Sequence, residues 1–246
     1  IFLASGRNYC SQCACPPHQV LAMFLSLTSL APATVVYIGS GCFWARQHLV
    51  TIFEQQHLGR KPADLTGVAG YAGSSGTGQV ACYENSRNFS EYSALGHAEA
   101  VQVDVPDDQA EALFSTWFKS FVALTPTIYA RPDFQDVGPA YRSLVGLPGG
   151  VQSPLMASLR AANLHNMTLL AGNGSDPDTL GLGQVYVMDS EKYSFIQAEV
   201  CLQYHDDATA KYPEDYHKLR DVALSTGRIK HSRCPPNLVC NDTVLV

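Results

Sequence analysis

The chain has 246 residues, 46% of them hydrophobic and 15% charged, with a formal net charge of -6. That length suits one large domain or two small ones, with a core that needs no cross-links, and the composition excludes a disordered main body. The negative balance argues against a nucleic-acid partner, whose phosphates need clustered Lys and Arg, and no run of about 20 apolar residues offers a membrane-spanning helix.

Residues 1–32 read as an N-terminal extension around Cys10, Cys13 and Cys15. With His18 these offer zinc-type ligands, but the spacing is compact for one tetrahedral site. Disulfides are expected there instead, and no metal is expected in the chain. The chain opens on Ile1 rather than Met, so an upstream piece is expected. Val20 to Ala33 is apolar and ends in small residues, as a signal-peptide core does. It follows a Cys-rich rather than a basic segment, so a packed helix is the expectation.

Thr34 to Ile38 is β-branched and ends at Gly39-Ser40-Gly41, which reads as a buried strand entering a tight turn. A helix is expected from Cys42 to about Gln56, with Trp44, His48, Ile52 and Phe53 on one side. A glycine-rich loop is expected from Gly67 to Gly78. His97 to Val105 alternates, with Val101, Val103 and Val105 on one face of a strand. Asp107 to Val122 reads as a helix with an acidic start and an aromatic stripe, including Phe114, Trp117 and Phe121. Pro154 to Asn163 reads as a helix capped by Ser153. A polar loop covers 172–183, strands are expected at 185–188 and 195–202, and a helix over 214–224. Residues 33–225 would form the main domain and 226–246 a Cys-containing tail. Strands mixed with helices imply an α+β fold, a mixed sheet with flanking helices in an α/β sandwich.

Eight cysteines are present: Cys10, Cys13, Cys15, Cys42, Cys82, Cys201, Cys234 and Cys240. Four Asn-X-Ser/Thr sequons start at Asn88, Asn166, Asn173 and Asn241, a dense use of the eight asparagines. Together they point to a glycosylated chain of the secretory route, an organelle lumen or the extracellular space, where disulfides persist. An organellar or cytoplasmic protein is the alternative.

Gly41-Cys42-Phe43-Trp44 carries the strongest chemical signal. A thiol at a helix start faces N–H groups with partial positive charge, which favour the reactive thiolate. Phe43 and Trp44 add an apolar wall that suits a small methyl group. A buried Cys packed between core aromatics fits the same residues equally well.

GCFW after a strand and glycines resembles the active-site signature of A-type peptide methionine sulfoxide reductases. Gly70-Tyr71-Ala72-Gly73, Gly96-His97-Ala98-Glu99-Ala100-Val101, Asp136-Val137-Gly138 with Tyr141-Arg142-Ser143, and Glu214-Asp215-Tyr216-His217 resemble further family elements in the family's order. The resemblance covers roughly 33–224. It implies a peptide-methionine (S)-S-oxide reductase acting on methionine sulfoxide, free or in peptides and proteins. Cys42 would attack the sulfoxide sulfur and become a sulfenic acid. Tyr71 and Tyr141 would bond the departing oxygen. Asp136 would orient the surrounding loop, and Phe43 and Trp44 would enclose the S-methyl. A neutral carboxylic acid would protonate the oxygen. Phe89-Ser90-Glu91-Tyr92 aligns best with the family's acid, making it Glu91, with Glu84 as the alternative. Cys234 and Cys240 would resolve the sulfenic acid, unless they form a structural disulfide with each other. No cofactor is implied beyond a thioredoxin-like or small-thiol reductant. Ala45 departs from the family's usual Gly, and residues between Arg142 and Gln184 show little resemblance. A weakly active or inactive fold, serving as a glycosylated binding subunit of a larger assembly, is the competing function.

Overall fold

The computed structural model describes residues 32–75, 80–84 and 91–235. Cys10, Cys13, Cys15, His18, Asn88, Cys240 and Asn241 lie outside them. The strands are β1 (Ala33–Gly39), β2 (Val68–Ala72), β3 (Ala98–Pro106), β4 (Val122–Thr125), β5 (Ile128–Ala130), β6 (Leu144–Leu147), β7 (Thr168–Ala171), β8 (Gln184–Asp189) and β9 (Ile196–Gln197). The helices are α1 (Phe43–Ile52), α2 (Ala110–Phe118), α3 (Met156–Ala162) and α4 (Glu214–Ser225). Seven strands form one sheet in the order β7-β8-β6-β1-β3-β2-β9, and β4 and β5 pair separately. Contacts of β8 are parallel and the remaining pairs antiparallel, so the sheet is mixed. This is the expected α+β architecture.

Side-chain alternation divides the sheet into two faces. Val36, Ile38, Val101, Val103 and Val105 face the main core with Phe43, Leu113, Phe114, Trp117 and Leu159 of α1, α2 and α3. Tyr37, Ala98, Ala100, Tyr186 and Met188 face the other way. Helix α4 adds Tyr216 and Leu219 to a third cluster with Leu65, Val68 and Ile229. No helix among the described residues is long and apolar enough to cross a membrane.

Four expectations are corrected. The loop expected over 67–78 contains β2, whose five residues are all buried. Gly70 is required there because an added Cβ would lie 2.2 Å from the Ile196 carbonyl oxygen. The helix after Cys42 ends at Ile52 and continues as one π-helical turn, Phe53–His57. Helix α2 stops at Phe118, and Val122 opens β4 instead. The strand expected over 195–202 shrinks to β9, followed by a 3-10 turn at Val200–Leu202. The Gln203 side chain has replaced a strand there. Its Oε1 accepts the Ala69 N–H at 2.9 Å, and its Nε2 donates to the Ala69 carbonyl at 2.8 Å.

The tail also differs from expectation. Ile229 is buried, and Cys234 forms a disulfide with Cys82, 152 residues away. That pairing corrects the expectation of a Cys234–Cys240 disulfide, and it leaves Cys234 without a free thiol while the bond to Cys82 holds. Cys201 is disulfide-bonded as well. A cross-link closing so long a loop removes much unfolded-state entropy. Cys82→Ser should therefore lose about 2–5 kcal/mol of stability, measured as a shift in the urea midpoint against the oxidised wild type.

Candidate active site

Strand β1 delivers the chain into the turn Ser40-Gly41, and Cys42 stands immediately before α1. Gly41 has φ +74, and an added Cβ would lie 2.3 Å from Asp133 Oδ2, so both shape and backbone require glycine. The Gly41 N–H donates to the Tyr141 carbonyl at 3.0 Å, which ties the Tyr141 turn to the thiol's own backbone. Cys42 is 6% exposed and free.

The carboxyl group at this helix start belongs to Glu99. The period-2 alternation of β3 places Glu99 on the same face as Val101 and Val103, directed at α1. Its Oε2 accepts the Phe43 N–H at 2.8 Å, and its Oε1 accepts the Tyr92 hydroxyl at 3.0 Å. Glu99 is 1% exposed. Burial pushes its carboxyl up to about 8, against the lowering effect of those two donors, with Asp136 and Asp133 adding to the rise. The side chain therefore holds a proton at neutral pH. Tyr92 is in turn hydrogen-bonded to the Tyr141 hydroxyl.

The thiol is protonated too, contrary to the expectation of a stabilised thiolate. Burial raises Cys42 well above the ordinary cysteine range, Glu99 raises it further once ionised, and the Trp44 N–H only partly opposes them. One turn of helix dipole does not offset loss of water around a buried sulfur.

Aromatic rings wall the site. Phe43 packs against Trp44, Tyr71 and Tyr83 at centroid separations of 5.9, 6.0 and 6.1 Å. Trp44 is fixed by its Nε1–H bond to the Leu202 carbonyl, 3.1 Å, and stacks on His205 at 4.4 Å. Tyr83, Tyr92 and Tyr141 open onto a cleft of about 460 Å³.

Cys42, Phe43, Trp44 and Tyr141 thus lie together at the start of α1, whereas the Tyr71 hydroxyl bonds Glu199 and Glu91 and Glu84 line the cleft. Tyr71 stacks on Tyr92 at 4.5 Å, but its hydroxyl donates to Glu199 at 2.8 Å, and Tyr92 is the phenol on the Glu99 carboxyl. Glu91 accepts from the Ser93 hydroxyl at 2.5 Å in an exposed contact. Glu91 and Glu84 line the outer cleft. Asp136 is half-buried, and its carbonyl accepts a hydrogen bond from Arg131. Arg131 also pairs with Asp178 at 2.8 Å, and Asp178 accepts the Gly138 N–H at 2.7 Å. This clamp fixes the turn that carries Tyr141. Sequence reasoning missed Glu99 and Tyr92. The signal for Glu99 was present: it shares the parity of three valines assigned to the buried face.

Tyr92→Phe deletes the hydroxyl on Glu99 and keeps the stacked ring. The variant should fold normally, and Glu99 should lose a donor that holds its carboxyl down, read as a higher titration midpoint for that carboxyl.

No family model matches the sequence, and no curated protein matches it. Among solved structures the chain is similar to methionine sulfoxide reductase A of Corynebacterium diphtheriae, with 13% identity, a TM-score of 0.41, and coverage of 85% of this chain and 82% of that one. A likeness at that level carries no argument about activity, so function rests on the chemistry of the site.

Proposed function

We propose that this chain is a thiol-dependent reductase that converts methionine S-sulfoxide, free or in peptides and proteins, to methionine. The observation that carries the reading is a free thiol at the start of α1 with a neutral buried carboxyl, Glu99, on the adjoining Phe43 N–H. A sulfoxide oxygen needs a proton before it can leave, and a carboxylic acid near pH 8 supplies one at neutral pH.

The substrate's S-methyl rests against Phe43 and Trp44, and its oxygen faces Glu99, which the Tyr92 hydroxyl holds in place, with Tyr141 donating to the oxygen. Cys42 sulfur attacks the sulfoxide sulfur while Glu99 delivers its proton to the oxygen. Glu99 then takes up the thiol proton. The sulfur–oxygen bond breaks, the oxygen passes to Cys42 as a sulfenic acid, and methionine leaves with the electron pair. A small thiol or thioredoxin-like dithiol then attacks the sulfenic acid, releases water and restores the thiol through a mixed disulfide. Cys234, paired with Cys82, takes part only after that disulfide is reduced.

Purified protein with dithiothreitol should form methionine from methionine S-sulfoxide and leave the R epimer. Folded protein that forms no methionine rejects the proposal.

A second reading, a glycosylated binding subunit built on this fold, is favoured by the buried, protonated state of the thiol. Exposed sequon residues Asn166 and Asn173 support glycosylation in a secretory-route lumen or outside the cell. Cys42 that resists alkylation in native protein, even with sulfoxide present, favours this reading.

A further inference from the structure

Next to the aromatic wall lies a group of side chains that the oxygen-transfer step from the sulfoxide does not use. Among the described residues, Cys82, Glu199 and Cys234 bring one ligand atom each within 4.8 Å of one another. Cys82 and Glu199 are buried, and Cys234 is half-buried. In the oxidised chain the two sulfurs are bonded to each other. A disulfide is neutral and does nothing to compensate a buried carboxylate. Glu199 accepts the Tyr71 hydroxyl at 2.8 Å on one oxygen and the Tyr83 N–H at 2.9 Å on the other. A carboxylate has about four acceptor sites, so two remain unused by those donors.

We propose that reduction of the Cys82–Cys234 disulfide opens a zinc-type metal site made by Cys82, Cys234 and Glu199. A dithiol reductant transfers two electrons to the disulfide, becomes a cyclic disulfide, and leaves two thiols. A divalent zinc ion then displaces both thiol protons, forming two metal–sulfur bonds and one bond to a Glu199 oxygen. Three anionic ligands on a dication leave a net charge of one minus. That is the same net charge as the disulfide beside an ionised Glu199, so the metal adds no buried charge, and the gain comes from the metal–sulfur and metal–oxygen bonds themselves.

The geometry fits. Metal–sulfur bonds of about 2.3 Å and metal–oxygen bonds of about 2.0 Å in a tetrahedron hold ligand atoms roughly 3.3–3.8 Å apart. That is inside the existing 4.8 Å envelope, and the two cysteine Cα atoms are 5.7 Å apart. The Tyr71 hydroxyl and the Tyr83 N–H fix the carboxylate, as outer-shell partners of metal ligands do. Two thiolates select a soft or borderline ion over magnesium or calcium. The fourth position is left for water, and Cys234 borders a cavity of about 250 Å³ that also touches Ala81, Ile196 and His231. The metal would join the tail to the Tyr83 segment as the disulfide does, so the cross-link survives in a reduced chain.

The test is a cobalt(II) titration of the full chain. The protein is reduced with a phosphine, which leaves no competing thiol, and kept free of oxygen. One equivalent of cobalt should give the sulfur-to-metal absorption and intense visible bands of a tetrahedral thiolate site, and zinc should abolish them. Cys42→Ser and Cys201→Ser should keep the spectrum. Cys82→Ser should lose it, and Glu199→Gln should weaken zinc binding at least tenfold. Should Cys82→Ser not fold, the oxidised wild type serves in its place and should bind no cobalt. A reduced chain without the tetrahedral spectrum overturns the proposal. So does a spectrum lost in Cys42→Ser, or zinc affinity unchanged in Glu199→Gln.

Discussion

If the proposed reductase reading holds, Cys42→Ser should lower the turnover of methionine S-sulfoxide by at least about 10³-fold, with the fold unchanged by circular dichroism. The reason is the nucleophile itself. Sulfur can expand its bonding toward the sulfoxide sulfur and accept the departing oxygen, whereas a serine hydroxyl cannot be oxidised in its place. Serine is nearly isosteric with cysteine, so stability should change little. The measurement is initial methionine formation with dithiothreitol as reductant, beside a thermal melt. Loss of activity together with loss of folding would not count as support. Retained activity in a folded variant would move the chemistry away from Cys42.

Glu99→Gln has the second large effect and a distinctive signature. Glutamine keeps an oxygen for the Phe43 N–H but cannot release a proton as a carboxylic acid does. The expected loss in kcat is about 10²–10⁴-fold. In the wild type the acid form is full well below pH 8 and empties as pH rises past about 8, so kcat should fall across that range. The variant should lack that limb. Stability should move the other way. The folded carboxyl sits near 8 against an ordinary value of 4.5, so the native state binds a proton that the unfolded chain has released. Its contribution to stability is present below pH 4.5 and is lost as pH climbs through 8. A neutral glutamine has no such loss, and the variant should melt higher than the wild type at pH 9. Lower activity with higher alkaline stability separates a catalytic acid from a structural one. Glu91→Gln should change kcat by less than about threefold, because Glu91 bonds Ser93 at the cleft rim.

Much of this arrangement was readable before the structure, and the failures have physical causes. The strand-turn-helix around Cys42 was legible because β-branched residues, a glycine turn and an amphipathic run are local signals. The aromatic side of α2 was legible for the same reason. Its C-terminal boundary was not, since Val122 fits a helix by periodicity and a strand by pairing. Strand β2 was hidden by its glycine and those flanking it; Gly70 serves close packing against Phe195 and Ile196 rather than loop flexibility. Glu99 was legible by alternation and was passed over, because a charged residue type is expected at the surface. Tyr71 and Tyr92 are stacked neighbours. Which hydroxyl reaches Glu99 depends on where Glu199 lies, a contact across 128 positions that no local pattern carries. The Cys82–Cys234 pairing is likewise nonlocal.

Single-turnover oxygen transfer is the most direct test of the thiol and carboxyl pair at the start of α1. Reduced protein is mixed with methionine S-sulfoxide without further reductant, trapped with dimedone and digested for mass spectrometry. The account predicts methionine formed in step with dimedone on the peptide containing Cys42, fast at pH 7 and slow at pH 10. Methionine formed with the trap on another cysteine, or no methionine from folded protein with a free Cys42, would contradict it.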